Sequence, residues 1–423
     1  MNMRNMRGIL VALILGGVGL VVTAAPKIVW LSTQLQPLPE AEWVRTQLLP
    51  AFTAETGISV EFIGSEYAPF ADRVLAEYKA GVGFVALLGG LYGDYAPLME
   101  AIADVGWVLQ DIRALQDRTF IPAFLELAVE KGVQFTIPWM QATYLLVVNK
   151  KALKYLPEGA NVWSLSYDDL LAWGKNIYEA TGERMIGIPA GPGGLLHRLI
   201  HGYLYPSFTG CQIVKFDSPE AVKMWEYVKE LWNYINPAST LWSWMDEPLL
   251  AEEVWVAWDH TVRVARAFKE RPDDFIAVPA PAGPKGRGII TVLAGLSIPK
   301  VSPDPEAAAK LIEYLTRPAT QVKVLEGVGW FPVVKEAAEA VPPGPLAILA
   351  AGVTAQAAAP DVIVSFIPPG LGVRAGEAWG VFRDTFVQIV IEGRPIKEVL
   401  LKYGQILREI YLDTMAPYGP PGC

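Results

Sequence analysis

The side chains best suited to chemistry are few. His197 and His201 stand four apart on a predicted helix, so both rings could face one cation. A structural zinc site needs four ligands and a catalytic one three, and nothing near the pair has ligand spacing, so they read as surface or groove histidines. The acidic pairs Asp246-Glu247, Glu252-Glu253 and Asp273-Asp274 would serve a glycosidase only if two carboxyls opposed each other across a sugar. Adjacent carboxylates point different ways and usually form solvated faces. The turn Gly191-Pro192-Gly193-Gly194 opens a predicted helix and could cradle an anion with its N–H groups. Lacking a following lysine or a full dinucleotide fingerprint, it reads as a tight strand-to-helix turn close to a ligand. No G-x-S-x-G, H-E-x-x-H, Walker loop or Cys-His nucleophile arrangement occurs.

The aromatic residues carry more. The chain has 14 Trp, 16 Tyr and 15 Phe, more flat apolar groups than a core needs. Trp173, Trp225 and Trp232 recur at helical spacing and belong to packing. Trp139, Trp258, Trp330 and Trp379 instead fall at predicted element ends: beside a chain crossing, closing a strand with Asp259 and His260, inside Gly327-Val328-Gly329-Trp330-Phe331-Pro332, and after the polar run Arg374 to Glu377. Such places suit sugars, whose axial C–H patches stack on flat rings while their hydroxyls need Asp, Asn, Gln or Arg partners.

The elements that must position these rings alternate. Lys27 to Leu31 reads as a buried strand, a helix follows with Val44, Leu48 and Phe52 on one face, and Ile58 to Ile63 is the next strand. A helix carrying Phe70, Val74 and Tyr78 stops at Gly81, and Phe84 to Leu88 is a third strand. Alternating strands and helices predict mainly parallel, doubly wound α/β sheets. The pattern pauses at Val133 to Thr143 and again at the Pro/Gly-rich Pro279 to Gly288, two candidate crossings between lobes. Ser166 with Asp169, and Ser218 with Pro219, are helix starts. Val254 to Trp258 and Phe275 to Val278 are further strands, and two helices close the chain.

At 423 residues the chain is long for one ordinary domain, and 52% apolar against 19% charged residues excludes a disordered tail as its main character. A net charge of −9 without a cationic cluster argues against nucleic acid as a partner. Cys211 and Cys423 give neither a metal site nor a disulfide framework, though they could pair. Arg4 and Arg7, the apolar run Gly8 to Val22 and the small residues Val22-Thr23-Ala24 form a secretory signal cleaved after Ala24, a run short for a membrane anchor.

The segment Leu49-Pro50-Ala51-Phe52-Thr53-Ala54-Glu55-Thr56-Gly57-Ile58-Ser59-Val60, and Ile137-Pro138 leading through Tyr144 to Asn149-Lys150-Lys151-Ala152-Leu153, resemble motifs of the carbohydrate-type extracellular solute-binding proteins of ABC importers, family 1. Glu253 to Asp259, Ala294 to Lys300 and Ala307 to Leu315 match in order and spacing. The resemblance implies a two-lobe periplasmic-binding fold closing on its ligand by hinge motion, with lobes at 25–140 plus 290–345 and at 141–289 plus 346–423. It implies an exported monomer without cofactor or metal, which binds a sugar and docks on the importer's permease subunits. The implied ligand residues are Ser65, Glu66, Tyr92, Asp94, Trp139, Gln141, Trp258, Asp259, Trp330, Arg374 and Trp379. Gly83-Phe84 departs from the family, which often has an acidic residue before its third strand. A secreted glycosidase, and a binder of polyamine or polyol phosphate, are the alternatives; an arginine-rich pocket would favour a phosphate.

Overall fold

The computed structural model describes residues 27–414 apart from 37, 131, 212, 366–370 and 372–373. The signal segment 1–24 and Cys423, on which the pairing of Cys211 depends, lie outside the described residues.

Two larger sheets organise the chain. Their strands are β1 (Lys27–Ser32), β2 (Ser59–Gly64), β3 (Leu87–Leu91), β4 (Ile137–Ala142), β5 (Tyr144–Asn149), β6 (Ile186–Gly187), β7 (Val256–His260), β8 (Phe275–Val278) and β9 (Val292–Ser297). The first sheet has the order β2-β1-β3-β9-β4, the second β8-β5-β7-β6. Strands β1, β2 and β3 run parallel because helices carry the chain back between them: Leu49–Thr56 ends at Gly57 and Tyr67–Ala80 at Gly81, both glycines in the left-handed conformation that stops a helix (φ 72° and 67°). Strand β9 is antiparallel to both β3 and β4, and β5 is antiparallel to β7 and β8. The sheets are therefore mixed, where alternation alone predicted mainly parallel ones. Strands β4 and β5 follow each other with one residue between them, and β9 re-enters the first sheet from the second, so these join without the helix that parallel pairing needs.

The third strand starts three residues later than the pattern predicted. Glu77 accepts hydrogen bonds from the amides of Phe84 (2.8 Å) and Val85 (3.0 Å), which holds them off the sheet ladder and leaves Phe84 66% exposed. Strand β7 likewise runs two residues further than predicted, to His260.

Trp30, Phe62 and Trp139 pack edge to face beneath the first sheet. Leu145, Val147, Phe268 and Phe275 anchor a separate core on one face of the second, covered by the helix Pro345–Ala357. The helices Ala375–Phe386 and Ile396–Leu412 pack on each other, the second also against Pro219–Trp232.

Candidate functional site

Strand β5 begins at Tyr144 directly opposite His260, the last residue of β7, and Leu146 faces Trp258 two pairs further in. These four side chains share one face of the sheet, and Leu145 and Asp259 share the other. That alternation separates Trp258 from Asp259. Trp258, 3% exposed, stacks in parallel on Tyr144 (4.8 Å between centroids) and meets Tyr203 edge-on. Its environment also includes an apolar cavity of about 40 Å³ lined by Leu146, Leu170, Ile188, Leu196 and Leu231 among others. Asp259 is fully buried, accepting from the amides of Met245 (3.0 Å) and His260 (2.7 Å), and burial pushes its carboxyl up to about 7. Because β7 continues past both residues, neither stands at a strand end.

Tyr144 is fixed by Tyr203, whose hydroxyl donates to its carbonyl and accepts from its amide, each at 3.1 Å. The His260 ring lies edge-on to Tyr144 at 4.9 Å and to Trp330 at 6.1 Å. Burial, with the charges of Arg263 and Arg198, pushes His260 down to about 3.

Tyr203 belongs to a π-helical turn, Ile200–Leu204, that continues the short helix Leu196–Leu199. The same segment sets Arg198 over the face of Trp379 at 4.4 Å, with Nη1 3.3 Å from His201 Nε2. Trp379 in turn lies 5.1 Å from the His201 ring and 5.4 Å from His197. Both histidines are buried beneath this arrangement, contrary to the surface or groove reading, and burial holds them well below the usual range. Nearby, Arg263 lies over Trp244 at 5.2 Å and donates to the carbonyls of Ser243 (2.9 Å) and Gly193 (3.3 Å).

The facing wall comes from the first sheet. Thr33, just past β1, donates to Asp94 Oδ2 at 2.6 Å, and the Leu91 amide donates to the same oxygen at 2.9 Å. Gly90 makes room for this: a Cβ there would stand 3.3 Å from both Asp94 Oδ2 and Thr33 Oγ1. Burial raises the Asp94 carboxyl, and the positive charge of Arg198 opposes the rise, so the two lie within electrostatic reach across the lobes. Burial, then the nearby Asp94, pushes the Tyr67 hydroxyl up to about 12. Glu40, close to Trp330, is pushed up to about 7 by burial.

Of the residues proposed from sequence, the structure gathers Asp94, Trp330 and Trp379 around Arg198 and His260. Ser65 bonds the Glu66 carbonyl at 3.0 Å, with the Glu66 side chain exposed. Gln141 donates to the Pro332 carbonyl at 2.9 Å. Tyr92 donates to the Phe124 carbonyl at 3.1 Å with its ring against Phe135, inside the first lobe. Trp139, 1% exposed, lies within strand β4 against Trp30. Arg374 pairs with Glu377 (2.8 Å) and Asp413 (2.6 Å). Sequence reasoning passed over Arg198, Tyr144, Tyr203, Thr33 and Tyr67. For Arg198 the available signal was its place between His197 and His201. Among the described residues no group of three or more His, Cys, Asp or Glu could hold a metal ion.

The model for bacterial extracellular solute-binding proteins matches residues 40–322, well over half of the chain. The chain belongs to that family. No curated protein matches it in sequence. Among solved structures, this family member is similar to maltose-bound MalE3 of T. maritima, with 18% identity, a TM-score of 0.67, and coverage of 91% of this chain and 100% of the other. The sugar-binding protein MalE of Xanthomonas citri gives 18% identity and a TM-score of 0.71 over 92% and 98%. UgpB of Mycobacterium tuberculosis, in complex with glycerophosphocholine, gives 18% and 0.69 over 92% and 99%. At these identities the likeness establishes the two-lobe α/β fold shared by family members. No helix among the described residues is long and apolar enough to cross a membrane.

Proposed function

We propose that this solute-binding protein captures a carbohydrate-type solute between its lobes, outside the cytoplasm, and delivers it to the permease of an ABC importer, catalysing no reaction itself. One observation carries the reading: Arg198, laid on the indole of Trp379 in the second lobe, lies within electrostatic reach of the Thr33-held Asp94 of the first. A guanidinium donates to hydroxyl oxygens, a carboxylate accepts from hydroxyls, and a flat ring receives the apolar face of a pyranose. Only a solute bridging the lobes uses both walls, so binding favours the closed arrangement that a permease can sense. The maltose and glycerophosphocholine named for the structural neighbours are polyhydroxylated solutes of this kind.

On this reading residues 1–24 are a removable export signal, the lobes comprise 25–140 with 290–345 and 141–289 with 346–423, and the protein acts as a monomer. Ser65, Glu66 and Gln141 stand as rim residues able to reach a longer solute. The test is calorimetric titration of the exported chain with glucose, maltose, maltotriose, cellobiose and chitobiose. Saturable binding of at least one, weakened by Trp379→Ala, is the expected result. Binding of spermidine or a peptide with none of these sugars would overturn the assignment.

A further inference from the structure

The charges on the second-lobe wall do not match the composition of the chain. Acidic residues outnumber basic ones, 44 to 35, and most arginines are spent on carboxylates: Arg118 on Glu313, Arg266 on Asp246, Arg271 on Glu252, Arg317 on Glu55. Arg198 and Arg263 make no ion pair among the described residues. The two are built alike. Each lies over a tryptophan face, Trp379 or Trp244, and each has Nη1 held, by the His201 ring or by backbone carbonyls, leaving Nε and Nη2 without a described partner. Both act on the same neighbours, Tyr144, His260 and His197, and Arg383 acts on His197 as well.

Withdrawing a guanidinium from water without a counter-charge is unfavourable, and a fold tolerates it where a ligand supplies the charge. Burial draws Arg198 below its ordinary value, consistent with a cation lacking a bonded anion. The groups facing it are His197, His201 and His260, all held in the neutral form, the hydroxyls of Tyr144 and Tyr411, and Asp94 across the gap, whose Oδ2 is already engaged twice. The positive charge of the wall is thus that of its arginines.

Resting on the solute-binding reading above, we infer that the solute is a sugar or polyol bearing one anionic group, a carboxylate or a phosphate, received by Arg198 and Arg263. Its hydroxyl donors turn toward Asp94 and Thr33. An acidic group at that end would meet the Asp94 carboxylate, so the charge fixes which end of the solute lies in which lobe.

Calorimetric titration with three acidic probes, D-glucuronate, D-glucose 6-phosphate and sn-glycerol 3-phosphate, against their neutral counterparts D-glucose and glycerol, tests this. At least one acidic probe should bind about tenfold or more tighter than its counterpart, the size of one charge-assisted bond, and lose affinity with salt. The carboxylate and phosphate arms identify the group. Arg198→Gln should abolish that preference with an unchanged circular-dichroism spectrum, while Arg198→Lys retains part of it, which a purely structural arginine would not do. Arg263→Gln provides a second variant if the first fails to fold. Neutral sugars binding as tightly as every acidic probe would overturn the inference and leave the carbohydrate reading intact. A di- or trisaccharide of the panel above binding while no acidic probe does would likewise overturn the inference alone, and binding of no sugar of either panel would remove both.

Discussion

Thr143 Oγ1 donates to the carbonyl of Ile290 at 2.9 Å, tying the residue that leads the chain into the second sheet to the one that precedes its return. Gln356 reinforces this tie from the helix Pro345–Ala357: Nε2 donates to Thr143 Oγ1 (2.8 Å) and the Tyr144 carbonyl (3.1 Å), and Oε1 accepts from the Ala280 amide (3.0 Å). All of this is buried, so the two crossings are tied to each other through groups closed off from water.

Replacing that hydroxyl by a methyl group leaves the Ile290 carbonyl and one Gln356 donor without a partner at nearly unchanged volume. Thr143→Val is therefore expected to lower unfolding free energy by about 1–3 kcal/mol in a urea titration. A change below about 0.5 kcal/mol would mean that the crossing is held by packing alone.

Trp139 and Trp379 separate core from site. Trp139→Ala removes a fully buried ring packed on Trp30 and should destabilise by about 3–5 kcal/mol while leaving the affinity of the folded fraction unchanged. Trp379→Ala exposes Arg198 to water and should weaken solute affinity by tenfold or more on the scale of about 1.4 kcal/mol per decade. Titrations of both variants under the same conditions check the contrast; equal affinities would place Trp379 with the core.

Asp259 and His260 predict opposite responses to pH. Asp259 holds its proton up to about 7 in the fold against an ordinary value of 3.8, so its contribution is full at low pH and is lost as pH rises from about 4 to 7. His260, lowered from 6.5 to about 3, contributes above pH 6.5 and loses that contribution as pH falls toward 3. Each slope is at most about 1.4 kcal/mol per pH unit. Relative to the parent, Asp259→Asn should gain melting temperature from pH 4.5 to 7, and His260→Gln should gain it from pH 7 to 4.5. Melting curves that shift in parallel across this range would contradict both assignments.

Gly90→Ala tests the first-lobe wall. The added methyl would press on Asp94 Oδ2 and Thr33 Oγ1, both tethered, and displace the carboxylate from its position opposite Arg198. Solute affinity should fall several-fold with a stability loss of about 1 kcal/mol. Unchanged affinity would show that Asp94 does not reach the solute.

The fold was largely legible because strand and helix periods are set by burial. Ser166 and Asp169 form the capping box that their spacing predicts, and Ser218 caps Pro219–Trp232. The ends of strands were less legible, since they depend on partners distant in sequence: nothing in the pattern around Phe84 reveals that Glu77 takes its amide. The site was harder for the same reason. Extending β7 by two residues turns Trp258 inward and leaves His260 at the edge, while Arg198 acquires its meaning from Trp379, which only the folded chain brings beside it. A tryptophan at a predicted strand end and one within the strand read identically in sequence.

The apolar cavity beside Trp258 has a mechanical consequence. Its lining is almost wholly apolar, so its volume is a packing defect of the second lobe that unfolding eliminates. Hydrostatic pressure favours the state of smaller volume, so the packing around Trp258 should loosen under compression, and a larger side chain that fills this space should raise the pressure at which it does.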